Sequence, residues 1–210
     1  MCNEHNLNNG NKIITNMNSS LLKHESNRKA ILINGLPASG KSFLGRKLAY
    51  QYNAPLLTLD TIKEAMFDTL GIGDREYNRS LSKASKEIIW ALIAEFPKDS
   101  LVIVDAWFGF PAFDKVYNGL EHAGISNFVE LWCNAPGYIL EKRYLDRVDF
   151  RHKGHPGSEY APELAEVAEK AAPMNIGPVY SIDMIDLNLI DYQAIINWTS
   201  KELHIPIQNG

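Results

Sequence analysis

The stretch Ala30-Ile31-Leu32-Ile33-Asn34-Gly35-Leu36-Pro37-Ala38-Ser39-Gly40-Lys41-Ser42 decides how this chain is read. Its first five residues form an apolar run that ends at a glycine, the pattern of a short strand buried on both faces. The next eight fit G-x-x-x-x-G-K-[ST] and lead into helical spacing, with Leu44, Leu48 and Tyr52 on one face. Gly35 and Gly40 let the backbone turn so that amide N–H groups point inward. Together with the N-terminus of the following helix, those groups make a nest for phosphate oxygens. Leu36, Pro37, Ala38 and Ser39 span the loop between the two glycines, and Phe43 extends the set expected against a nucleotide. Lys41 is placed to reach the β- and γ-phosphates as a point charge. Ser42 is placed to put its hydroxyl on magnesium.

Further apolar runs stand at Leu56–Leu59, Leu101–Val104, Phe128–Cys133 and Val179–Ile182. Longer stretches with helical spacing separate them. Leu81, Ile88 and Leu92 share a face, and Tyr192 to Leu203 reads as a closing helix. Strands alternating with helices predict an α/β fold with a parallel sheet covered on both sides. Residues 1–29 are rich in asparagine and lack an apolar period, so they read as a flexible tail, with a short helix around Leu21–Leu22 as the alternative. Residues 30–210 then form one domain, with a lid around residues 140–157.

The chain has 210 residues, 45% of them hydrophobic and 22% charged, as expected of a globular domain. A formal net charge of −4 argues against a nucleic-acid backbone as partner. No apolar stretch is long enough to span a bilayer. The polar start shows no secretory pattern, and two cysteines, Cys2 and Cys133, make no disulfide framework. These features predict a cytoplasmic location. The oligomeric state is not legible.

In an open parallel sheet, ligands bind beyond the carboxyl ends of the strands. Asp60 follows Leu56–Leu59, and Asp105 follows Leu101–Val104. A carboxylate there can take a proton from a substrate hydroxyl or hold magnesium. Asp60 is the candidate base and can also cap the helix Thr61–Leu70. Asp105 is either the magnesium-side acid or an acceptor ligand. Asp183 reads as a turn residue. Ala106 follows Asp105 where a water-activating glutamate would mark a motor-type ATPase, so transfer to a bound acceptor is the better reading. Trp107 and Phe108 open an aromatic stretch that either fills the core or walls the acceptor site. Lys63, Arg75, Arg79, Lys83 and Lys86 make a positive cluster that is either a solvated face or a site for an anionic acceptor. Arg143, Arg147 and Arg151, spaced by four, would lie along one face of a helix starting near Ala135. With His152-Lys153-Gly154-His155 after them, they read as a cationic lid over the phosphates. Two histidines without a third ligand make a weak case for metal.

Together, Gly35–Ser42, Asp60-Thr61-Ile62-Lys63-Glu64, the strand ending in Asp105 and the segment Arg143 to His155 resemble the small P-loop kinases. Within these they are most similar to the group around chloramphenicol phosphotransferase and the zeta-toxin-like ATP-binding proteins. The resemblance covers roughly residues 30–203. It implies a five-stranded sheet of order 2-3-1-4-5 and ATP with Mg2+ as cofactors. It implies Lys41, Asp60, Arg147 and Arg151 in catalysis, and Arg143 and Arg147 against the nucleotide with adenine near Asp183–Asn188. The expected activity is transfer of the γ-phosphate to a small-molecule hydroxyl. A nucleotide-sugar kinase and an ATP-binding regulatory protein are the alternatives. No N-K-x-D segment for guanine is found.

Overall fold

The computed structural model describes residues 26–207. Most of the expected tail, including the alternative helix at Leu21–Leu22, lies outside the described residues. Arg28 and Lys29 do not belong to a tail. They open strand β1 (Arg28–Asn34), which starts two residues earlier than the apolar run. The Arg28 guanidinium explains the extension. It is buried and donates to the carbonyls of Ala94, Phe96 and Ala123. Those carbonyls lie where two helices end, and a cation is favourable there.

Five strands form one parallel sheet: β1, β2 (Leu56–Thr58), β3 (Leu101–Asp105), β4 (Ile125–Asn134) and β5 (Val179–Asp183). Their order is β2-β3-β1-β4-β5, as the resemblance implies. Among the described residues seven helices cover it: α1 (Lys41–Tyr52), α2 (Leu59–Leu70), α3 (Arg75–Ala94), α4 (Asp114–His122), α5 (Gly137–Leu145), α6 (Ala161–Ala168) and α7 (Tyr192–Leu203). The alternation along β1 divides the core. Ile31 and Ile33 face one side, packing with Leu44 and Leu48 of α1 and Ile195 of α7. Ala30 and Leu32 face the other, with Ile89 and Ile93 of α3 and Leu120 of α4. Each large aliphatic side chain buried this way contributes about 1.5–3 kcal/mol.

Four local expectations are corrected. The buried stripe of α3 is Leu81, Ser85, Ile89 and Ile93 with Trp90, whereas Ile88 and Leu92 are exposed. Both stripes fit a helical period. Trp90 decides between them, because its indole packs against Gly119 of α4 and stacks on Phe108. Strand β2 ends at Thr58, and Leu59 already belongs to α2. The cap of α2 is Thr58, whose Oγ1 accepts from the Thr61 N–H at 3.3 Å, so Asp60 sits in the first turn and caps nothing. Helix α5 ends at Leu145, and the chain then tightens into a 3₁₀ turn at Val148–Phe150. Arg143, Arg147 and Arg151 therefore do not share one helix face.

Candidate active site

The loop from Gly35 to Ser42 joins β1 to α1. Its backbone takes left-handed values at Ala38 (φ 66°) and Gly40 (φ 95°), the alternation that turns successive N–H groups inward. A Cβ on Gly40 would stand 2.8 Å from Met184 and 3.0 Å from Leu187, while one on Gly35 would meet the Cys133 carbonyl at 2.6 Å. Gly35 thus needs glycine for space as well as for conformation, because a backbone carbonyl cannot give way, while Gly40 needs it for its left-handed φ, its neighbours being the ends of flexible side chains. Lys41 Nζ donates to the Leu36 carbonyl at 2.9 Å, across the mouth of the loop. Ser39 Oγ is buried there without a hydrogen-bond partner.

The start of the loop is held by two residues the sequence analysis did not single out. Asn34 Oδ1 accepts the Gly35 N–H at 2.8 Å and the Phe108 N–H at 3.2 Å, and its Nδ2 donates to Glu130 Oε1 at 2.7 Å. Glu130 is fully buried and also accepts the N–H groups of Met174 and Asn175. A signal was present in the sequence. A carboxylate inside the run Phe128–Cys133, in a strand covered on both faces, must be fully hydrogen-bonded to be tolerated.

Beyond the strand ends the acids gather. Ser42 Oγ donates to Asp105 Oδ2 at 2.6 Å. Burial raises the Asp105 pKa above the ordinary carboxylate range, while nearby Lys41 and the Ser42 hydrogen bond oppose the rise. Asp60 is more than half exposed and lies 3.6 Å from the Arg151 guanidinium. Lys63, one turn along α2, is buried, and that burial lowers its pKa despite the nearby Asp60 charge. Asp183 accepts the Ile185 N–H at 2.8 Å and serves a turn, as expected.

The segment after α5 lies against α2 through spaced pairs. Asp60, Glu64 and Asp68 recur every four residues along α2, so they share one face. They meet Arg151, His155 and His152 respectively. His155 Nε2 is 2.7 Å from Glu64 Oε1, and His152 Nε2 is 3.0 Å from Asp68 Oδ1. His152 Nδ1 accepts the Gly154 N–H at 3.0 Å, which leaves its proton on Nε2, facing Asp68. The His152 ring stacks on Phe67, and a Cβ on Gly154 would overlap that same phenyl ring. The segment Arg151-His152-Lys153-Gly154-His155 is therefore a docking strip for α2. Among the described residues no His, Cys, Asp and Glu group has metal-binding geometry.

A cavity of about 1130 Å³ connects these parts. Lys41, Ser42 and Phe43 line it from the loop's end and the first turn of α1, Asp60 and Lys63 from α2, Asp105 from β3, and Arg147 and Arg151 from the docking segment. The Arg147 Nε is buried with no hydrogen-bond partner. Of the aromatic stretch, Trp107 and Phe110 line the cavity, edge to face at 5.6 Å. Phe108 does not. It packs into the core on Trp90, which corrects its expected place in the acceptor wall, because the ring that follows Trp107 points to the opposite side of the sheet end. Arg143 is also set apart. Its guanidinium donates to the carbonyls of Met184 (2.8 Å) and Ile185 (3.0 Å), holding the loop after β5 instead of lining the cavity.

The donor set fits a magnesium–nucleotide polyphosphate. The loop's N–H groups, the Lys41 ammonium and the unpartnered Nε of Arg147, which lines the cavity, are donors suited to phosphate oxygens. Ser42 and Asp105 supply hard oxygen ligands suited to magnesium.

Residues 31–159 match the family described as an AAA domain. The chain belongs to that family. No curated protein matches the chain. Among solved structures, a candidate kinase of Chloroflexus aurantiacus is similar at 28% identity and TM-score 0.75, over 83% of this chain and 98% of that one. A gluconokinase of Sinorhizobium meliloti shares 18% identity at TM-score 0.53, covering 87% and 94%. A shikimate kinase of Bacteroides thetaiotaomicron shares 20% at 0.52, covering 84% and 98%. The last two share the fold alone. That fold is the one used by small P-loop kinases, in agreement with the resemblance read from the sequence.

Proposed function

We propose that this chain is an ATP-dependent phosphotransferase that moves the γ-phosphate to a hydroxyl of a small molecule. The observation that carries this reading is the convergence, in one cavity, of the phosphate loop with Asp60, Arg147 and Arg151. Transfer needs a base at the attacking oxygen and cations around the phosphoryl oxygens, and this cavity offers both.

The loop amides and Lys41 hold the β- and γ-phosphates of ATP. Ser42 and Asp105 would hold magnesium, which when bound neutralises charge on the phosphate oxygens. Asp60 takes the proton of the acceptor hydroxyl as its oxygen bonds to the γ-phosphorus. The bond from that phosphorus to the β–γ bridging oxygen breaks, and ADP leaves with the electron pair. Arg147 and Arg151 stabilise the charge on the equatorial oxygens. Arg151 leans on Asp60 before substrates arrive, so it must release the carboxylate for the base to act. Ala106 beside Asp105 offers no carboxylate to align water, which favours transfer over hydrolysis.

Both the gluconokinase and the shikimate kinase are named for hydroxylated acids, and acceptors of that size suit a cavity of this volume. The deciding experiment is a screen of hydroxylated small molecules with ATP and Mg2+, read by mass spectrometry for a gained phosphoryl group. A phosphorylated product that vanishes with Lys41→Ala supports the proposal. ATP binding with slow hydrolysis and no acceptor across the screen would favour a regulatory nucleotide-binding protein.

A further inference from the structure

The cavity is far more cationic than the chain. Ten lysine and arginine side chains line it against five carboxylates, in a protein whose formal net charge is −4. Magnesium–ATP brings roughly two net negative charges, which leaves a cationic excess. The excess has a definite place. Along α3, Asn78, Ser82 and Lys86 recur every four residues, with Arg79 and Lys83 beside them, and all five line the cavity. Lys63 faces the same space from α2.

Every carboxylate lining the cavity is already engaged. Glu163 pairs with Arg75, and Asp60 with Arg151. Asp105 accepts from Ser42. Asp74 caps α3 by accepting the Tyr77 N–H at 2.8 Å, and Glu159 accepts the Gly157 N–H at 2.8 Å. Among the described residues, none of Lys63, Arg79, Lys83 or Lys86 has a carboxylate within ion-pair distance. Lys63 is buried and Lys86 partly so, whereas Arg79 and Lys83 are exposed at the cavity's open side. Burial pushes the Lys63 ammonium down in pKa, and burial with nearby Lys115 does the same to Lys86. Lys63 and Lys86 are thus held where burial opposes their charge, a cost that an anion in the cavity would offset.

We infer that the α3 side of this cavity binds an oxyanion group carried by the phosphate acceptor, with Lys83 and Lys86 as its principal ligands and Arg79 and Lys63 at its edges. The inference rests on the phosphotransferase reading. It narrows the acceptor to a hydroxylated molecule bearing a phosphate ester or a carboxylate. The anion docks on α3 and thereby turns the hydroxyl toward Asp60. Neutral polyols and cationic amino-sugars lack the group that α3 recognises.

The test is a calorimetric titration of inorganic phosphate into the full chain already saturated with Mg2+ and a non-hydrolysable ATP analogue. Acetate is titrated in parallel. The expected result is one phosphate bound beyond the nucleotide, at least tenfold more weakly in Lys83→Gln/Lys86→Gln, with the analogue bound equally by both proteins. Tighter binding of acetate than of phosphate assigns the anion to a carboxylate. If neither anion binds the nucleotide-filled protein, or if the double variant binds as the wild type does, the inference is overturned. Failure of the analogue itself to bind would instead bring down the phosphotransferase reading. The anion titration on the nucleotide-free chain, compared with the double variant, would still decide the α3 site.

Discussion

Ser42 Oγ donates to Asp105 Oδ2 at 2.6 Å, tying the end of the phosphate loop to the end of β3. Both oxygens are hard ligands, and a magnesium ion taking them as ligands must compete with a proton for Asp105. Burial raises this pKa in the fold above its unfolded value, so the folded state holds the proton more tightly. The contribution of this group to stability is therefore present at low pH and falls as pH rises through the raised pKa. Magnesium-dependent nucleotide affinity should run the opposite way, declining on acidification before ordinary carboxylates titrate. Calorimetry of the analogue with Mg2+ across a pH series checks this. Asp105→Asn should abolish the pH dependence, weaken magnesium-dependent binding and leave the melting temperature equal or higher.

Lys41→Ala should keep the fold and lose transfer. The Lys41 ammonium, which donates to the Leu36 carbonyl, is the loop's own cation at the phosphates. Its removal should cost several kcal/mol of transition-state stabilisation, on the order of 10²–10³ in rate. Single-turnover kinetics on the folded variant measure the loss.

Asp60→Asn should bind the nucleotide normally and phosphorylate acceptor about 10²–10⁴-fold more slowly. Because Thr58 caps α2, the substitution removes no cap. Thermal stability should stay within about 1 kcal/mol. A variant that phosphorylates normally would remove Asp60 from the role of base.

The docking strip gives a pH dependence of its own. Burial lowers the His155 pKa below the usual imidazole range, offset in part by Asp60 and the Glu64 hydrogen bond. On acidification the undocked or unfolded chain takes the proton first. The contact's contribution is full above the ordinary histidine range and is lost as pH falls through it. Limited proteolysis at residues 147–157 should accelerate over that interval, and less so in His155→Gln.

Gly119→Ala should destabilise the protein by about 1–3 kcal/mol, because its methyl group would overlap the Trp90 indole. Urea melts give the value. Trp90→Leu should remove most of the penalty in a double-mutant cycle.

The sheet was legible in the sequence because its strands are nearly all apolar, as strands covered on both faces must be. The phosphate loop was legible because its chemistry tolerates few alternatives at Gly35, Gly40, Lys41 and Ser42. Reading failed where two patterns obeyed the same period. On α3 only the fit of Trp90 against Gly119 selects Leu81-Ser85-Ile89-Ile93 over the stripe through Ile88 and Leu92. The arginine spacing misled in another way. Arg143, Arg147 and Arg151 look helical, but α5 ends at Leu145, and only the latter two reach the cavity. Phe108 and Trp107 are neighbours of the same kind, and only the geometry of the strand end separates core from wall. Pairs such as Glu64 with His155, 91 positions apart, belong to tertiary contact and leave no local trace.

Glu130 sets a limit on how the chain can rearrange. Apolar contacts tolerate sliding, since one methyl group can replace another. A buried carboxylate held by Asn34, Met174 and Asn175 cannot slide, because any shift of β4 strands its charge among hydrocarbon. It acts as an index mark that admits one alignment of β1, β4 and the segment leading into β5. The same mark should leave a trace in descent. Asn34 and Glu130 would be exchanged together or not at all, and a lineage that lost one would have to rebuild the entrance of the loop that follows.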